Sequence, residues 1–241
     1  MKLACSSTAF DELLRSGDLT QLEWIDLCAH ELAADGVVFD VRHFPRTDTD
    51  YLAQVKKMAA DLGLTVAALR HDGFFNGDET HMEQSLEIAL ALGSPLLSAP
   101  LPPETVTSWS EVQAQLGAAT SHAKRLNVTI AVRNVPHTFA ASTHDMKRVS
   151  KEADSAWLRY GPEFTVFDAG SEPEAVLPKA VLVWVQIVCA SSEVDYVARL
   201  LSGYRGFIAL DAAAGDARAE VTKNALRSWR EAFCRIEADR I

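Results

Sequence analysis

Short apolar runs recur along the chain, separated by longer stretches in which apolar residues return every three or four positions. The runs are 2–6 (KLACS), 36–40 (GVVFD), 64–69 (LTVAAL), 95–99 (PLLSA), 128–133 (VTIAVR), 164–168 (FTVFD), 182–188 (LVWVQIV) and 206–211 (GFIALD). They are nearly continuous in Val, Ile, Leu, Phe and Ala, which suits parallel strands covered by helices. Between them, 49–62 places Tyr51, Leu52, Val55, Met58, Ala59 and Leu62 on one helical face, and 79–92, 110–126 and 217–236 follow the same period.

Punctuation supports the helices. Thr20 with Glu23, Ser110 with Gln113 and Ser171 with Glu174 have capping-box spacing, and Gly63, Gly93 and Gly203 stand where helices should stop. The sixth crossover, about 169–181, has room for only about two helical turns between Pro173 and Pro178. Eight strand-then-helix units over residues 1–241 predict a single-domain α/β fold, a (β/α)8 TIM barrel. An open doubly wound sheet lacks support, because Ser6-Ser7-Thr8-Ala9 follows the first strand in place of a glycine-rich phosphate loop.

Charge narrows the function. Lys plus Arg number 23 against 33 Asp plus Glu, a net charge of −10. That predicts no nucleic-acid partner and no adhesion to anionic membranes. No apolar run has the length of a membrane span, and Met1-Lys2-Leu3-Ala4-Cys5 reads as a strand rather than a leader. Cys5, Cys28, Cys189 and Cys234 form no C-x-x-C, so reduced thiols in a cytoplasmic protein are expected. The outer helices leave room for a homodimer.

In such a barrel chemistry belongs at the C-terminal ends of the strands. Those ends carry Asp40, Arg42 and His43; Arg70, His71 and Asp72; Arg133, Asn134 and His137; Asp168 and Ser171; Gln186; and Asp211. Several segments in order resemble the xylose isomerase-like barrels, the sugar-phosphate isomerases and epimerases. Leu19-Thr20-Gln21-Leu22-Glu23 leads into Asp35-Gly36-Val37-Val38-Phe39-Asp40, which resembles the family's DGVEL start. Ala91-Leu92-Gly93 resembles its A-x-x-L-G entry to strand four. Residues 132–142 (VRNVPHTFAAS) resemble ENHPGTFAAT, Phe167-Asp168-Ala169-Gly170-Ser171 resembles D-x-G-H, and 203–211 (GYRGFIALD) resembles GYDGWLSLEYEG.

The resemblance implies a divalent cation held by Glu, Asp, His and Glu from strands five to eight, with the glutamates moving protons beside a sugar carbonyl. The matching positions here are Arg133, Asp168, Gln186 and Asp211, of which only the Asp is kept. Arginine offers no lone pair. A guanidinium ~4 Å from a dication would be repelled by about 8 kcal/mol at an effective dielectric of 20. The expected outcome is a guanidinium in place of the cation, forked between Asp168 and Asp211, with no cofactor.

Two functional readings follow. In the first, the barrel mouth binds a small carbohydrate ligand (a sugar, sugar acid or polyol) with little metal-dependent isomerase activity; Asn134, His137, Gln186, His43 and His71 are the candidate binding residues. In the second, the chain is an active isomerase, epimerase or lyase on a sugar or hydroxy-keto acid. Asp211 is then the base and Arg133 the electrophile, with Asp168 beside them and Mn, Mg or Zn at most weakly held. The family's abasic-site endonuclease branch needs three zinc ions and a matching set of His and Glu ligands, which this chain lacks.

Overall fold

A computed structural model describes residues 1–76, 78–167, 172–212 and 219–238. Eight parallel strands form one sheet: β1 (Lys2–Ser6), β2 (Gly36–Asp40), β3 (Thr65–Arg70), β4 (Leu96–Pro100), β5 (Thr129–Arg133), β6 (Leu158–Tyr160), β7 (Leu182–Gln186) and β8 (Phe207–Asp211). Their order is β6-β5-β4-β3-β2-β1-β8-β7. Isolated parallel bridges, Tyr160 to Ala180 and Glu163 to Trp184, join the two ends, so the sheet is a nearly closed barrel. Helices α1 (Asp11–Ser16), α2 (Gln21–His30), α3 (Thr49–Asp61), α4 (Glu79–Leu92), α5 (Trp109–Leu126), α6 (Thr143–Ala153), α7 (Ser191–Leu200) and α8 (Ala219–Ala238) surround it. Among the described residues no helix is long and apolar enough to cross a membrane.

The (β/α)8 architecture is as expected, but the sixth strand is not at 164–168. It is the three-residue Leu158–Tyr160, paired to β5 through Ile130–Leu158, Ala131–Arg159 and Val132–Tyr160. Phe164–Val166 instead forms a single 3-10 turn that buries Phe164. The Thr20–Glu23 capping box is present, whereas α5 starts on Ser108 and Glu111, two residues before the expected pair. Ser171 lies outside the described residues, and the sixth crossover contains a 3-10 helix, Pro173–Lys179, in place of an α-helix.

Strand alternation builds the barrel interior in layers. Ala4, Val38, Ala67, Ala68, Leu182, Trp184 and Ala209 form an inner cluster separate from the larger core between strands and helices. Most of these side chains are small, and the fully buried Trp184 fills the space they leave. Gly36 is needed lower in the barrel: a Cβ there would lie 2.6 Å from the Thr65 carbonyl and 2.8 Å from the Phe207 ring. Two residues above the inner layer, the same alternation places Asp40, Arg133, Gln186 and Asp211 inside the mouth.

Arg70 reaches the mouth by a different route. The register between β2 and β3 shifts after Val37, which pairs Val66, so that Val38 pairs Ala68. Ala67 is the extra residue, and both it and Ala68 face inward. This bulge inverts the phase of β3. Without it Arg70 would share the outward side with Val66; with it, Arg70 points into the barrel opposite Asp40.

Candidate functional site

The centre of the mouth is a chain of buried ion pairs. Arg133, at the end of β5, donates from Nη2 to Glu163 Oε2 and to Asp211 Oδ2, each at 3.1 Å. Arg133, Glu163 and Asp211 are all at most 4% exposed. Arg70 Nη1 donates to the same Asp211 oxygen at 2.7 Å, and its other nitrogens grip Asp72 in a fork at 3.0 and 2.8 Å. Both guanidinium groups lie over Trp184, 4.2 Å from the ring centroid for Arg133 and 5.7 Å for Arg70. Below them the Trp184 indole N–H donates to Ser98 Oγ at 3.2 Å.

These contacts set the charge states. Burial opposes the positive charge on Arg70, but Asp211, Asp72 and Asp40 outweigh it and hold the group above the ordinary arginine range. Burial also acts to raise Asp72, and the Arg70 fork, helped by Arg133, brings it below the usual carboxylate range. The oxygens of Asp211 are saturated. Oδ1 accepts from the Thr8 hydroxyl and from the Ala212 N–H at 3.0 Å, while Oδ2 accepts from the two arginines.

Glu163 was not among the residues singled out from the sequence. It stands three residues beyond the end of the short β6 and supplies the second counter-ion to Arg133, the place expected of Asp168; Asp168 itself lies outside the described residues. Its carboxylate also accepts from the Gln186 amide and from Thr165 Oγ1 at 3.4 Å. Asn134 holds Glu163 by the backbone: its amide donates to the Glu163 carbonyl at 3.0 Å and its oxygen accepts from the Glu163 N–H at 2.6 Å. Arg133, Glu163, Gln186 and Asp211 therefore meet at the ends of β5 to β8. Within that cluster Arg133 Nε and Gln186 Oε1 have no hydrogen-bond partner.

A cavity of about 680 Å³ opens above the cluster. Arg70, Asp72, Arg133, Glu163, Gln186 and Asp211 form its polar floor, Asn134 its edge, and the loops after β3, β4 and β5 its wall. None of the three candidate histidines lines it. His43 is locked between Ser7 Oγ at 2.7 Å and Asp11 Oδ1 at 2.9 Å, joining the β2 end to α1. His71 turns toward α4, with Nδ1 2.9 Å from Ser85 Oγ and Nε2 3.1 Å from the His81 ring nitrogen. Burial first, then the charge of His81, pushes His71 down to about 4. His137 is exposed, in a left-handed turn at φ 63°, where its carbonyl receives the Glu104 N–H at 3.1 Å.

A family model of the xylose isomerase-like TIM barrel matches residues 27–187. The chain belongs to that family. No curated protein matches it. Among solved xylose isomerase-like folds, D-psicose 3-epimerase from Clostridium cellulolyticum superposes with a TM-score of 0.74 at 11% identity, covering 99% of each chain. The 3-keto-D-glucoside 4-epimerase of E. coli gives 0.72 at 15% identity over 96% of this chain and 99% of its own. A xylose isomerase domain protein from Alicyclobacillus acidocaldarius gives 0.72 at 16% identity over 98% and 99%. At such identities these likenesses establish the fold alone. Among the described residues no three His, Cys, Asp or Glu side chains are grouped to hold a metal ion.

Proposed function

We propose that this xylose isomerase-like barrel binds a small carbohydrate, most favourably a sugar acid, in its mouth without a resident divalent cation. The observation that carries the reading is the Arg133 guanidinium bonded at 3.1 Å to both Glu163 and Asp211. The cation implied by the family resemblance does not fit these residues. A dication between the two carboxylates would have to displace a fixed positive charge that already neutralises them. Gln186 directs its amide N–H at Glu163, which serves the same arrangement.

A ligand with a carbonyl or carboxylate edge suits the floor. Only Nη2 of Arg133 bonds a described residue; Nε is unpartnered but buried, and Nη1, 3.8 Å from Asp72 Oδ1 and beyond hydrogen-bond length, is the nitrogen left for a ligand. Catalysis with Asp211 as base is less favoured, because both of its oxygens are fully engaged and a donor would have to be given up before it could accept a proton from substrate. Arg133 would remain able to polarise a carbonyl bound at the cavity floor.

The test pairs metal and ligand titrations followed by thermal unfolding. The wild-type midpoint should be unmoved by Mn²⁺ or EDTA and should rise with sugar acids. Arg133→Glu with Gln186→His should gain Mn²⁺-dependent stabilisation, of about 2.7 kcal/mol at a hundredfold excess over Kd. Tight Mn²⁺ binding by the wild type would overturn the reading.

A further inference from the structure

The floor and wall of the mouth differ in chemistry, and the difference specifies the ligand more closely than a sugar acid. We propose that the natural ligand is amphipathic: a sugar acid carrying an apolar aryl group, its carboxylate on Arg133 and its aryl group along the wall. This rests on the mouth being a ligand site, as proposed above.

The wall is built from Phe75 after β3, Leu101, Pro102 and Pro103 after β4, Val106 beyond them, and Val135 after β5. The polar groups beside it are largely engaged: Arg70 and Asp72, at the floor, are forked together. The Thr138 hydroxyl donates to the Val135 carbonyl at 2.7 Å, and the Asn76 side-chain oxygen accepts from the Asp78 N–H at 3.0 Å. A simple sugar, with hydroxyls around its whole ring, would leave some of them facing this wall without partners, which is costly. A ligand with one polar edge and one apolar group avoids that cost.

The wall is also preformed. Proline fixes its own φ, and Pro103 bridges Thr138 while the Glu104 N–H donates to the His137 carbonyl at 3.1 Å. The β4 and β5 loops are thus joined into one rigid surface, which lowers the ordering cost of binding. Val106, 71% exposed at the rim, is not buried in the protein core and extends the apolar surface outward.

Calorimetric titration of the full chain with phenyl β-D-glucuronide, D-glucuronate and phenyl β-D-glucoside tests the proposal. The glucuronide should bind roughly tenfold or more tightly than either of the other two. Val106→Asp should weaken the glucuronide by roughly tenfold and leave glucuronate unchanged; its exposure makes a folding defect avoidable, and an unchanged unfolding midpoint checks this. If glucuronate binds as tightly as its phenyl conjugate, or Val106→Asp has no selective effect, the aryl assignment fails while the sugar-acid reading stands. If the phenyl glucoside binds as tightly as the glucuronide, the carboxylate assignment fails. If none of the three binds, both this inference and the function it rests on are overturned.

Discussion

The two halves of the barrel mouth carry similar residues in opposite states. At the ends of β1 to β3, polar groups are engaged by one another: Arg70 by Asp72 and Asp211, Arg42 by Asp40, His43 by Ser7 and Asp11, and His71 by Ser85 and His81. At the ends of β5 to β8, Arg133 and Gln186 each retain an unpartnered polar atom at the floor of the cavity, whose other side Arg70 and Asp72 line with their hydrogen bonds already made. A polar residue at a strand end is therefore not by itself a functional residue. Saturation by the protein distinguishes a group that holds the fold from one left for a ligand.

Replacing the two arginines in turn should break that comparison most sharply. Arg70→Met removes the partner of Asp72 and one of two cations on the buried Asp211, and should cost about 3–5 kcal/mol of stability by urea denaturation. Arg133→Met leaves the buried Glu163 without a cation and Asp211 with Arg70 alone, and should cost a similar amount, about 3–5 kcal/mol. The ligand effect should separate the two, with sugar-acid binding lost in Arg133→Met and kept in Arg70→Met. Equal losses of sugar-acid affinity in the two variants would remove the distinction between them.

The sequence made the barrel legible because its parallel strands are buried on both faces and read as continuous apolar runs. It failed at β6, where the reason is physical. Leu158-Arg159-Tyr160 is too short to show a period and ends in Gly161-Pro162, which reads as a turn; Phe164-Thr165-Val166-Phe167 has the stronger β composition but folds as a 3-10 turn. With the strand misplaced, Glu163 read as a residue before the sixth strand, when it stands just after it. The arginine in the mouth was legible from Arg133, two residues beyond Ala131 on one strand face. Arg70 was placed at the strand end, but its bonding to Asp211 depends on the Ala67 bulge, which no local pattern announces. The histidines misled because a strand end identifies a position, and the direction of a side chain beyond it is set by loop packing.

Asn134 sharpens the boundary between the halves, since it lines the cavity yet both ends of its amide are engaged by the backbone of Glu163. Asn134→Ala should leave a buried N–H and C=O without that partner and cost about 2 kcal/mol. The loss should appear equally with and without a sugar acid present. A selective loss of ligand affinity at unchanged stability would move Asn134 from a positioning residue to a binding residue.

The smallest effect concerns His71, on the closed half. Its folded value, about 4, lies below the ordinary 6.5, because burial and the neighbouring His81 disfavour the charged ring. Asp40 and Asp72 pull the other way without prevailing. As pH falls below 6.5 the unfolded chain takes up a proton that the folded chain refuses until about 4, so stability declines across that window and is retained above it. The His71 share should be on the order of 1–2 kcal/mol, less than the full shift implies because water reaches part of the His71–His81 pair. His71→Asn, whose amide can still meet Ser85, should flatten the slope of unfolding free energy between pH 6.5 and 4 while leaving sugar-acid affinity at neutral pH unchanged. An unaltered slope, or a loss of affinity, would place His71 with the open half of the mouth after all.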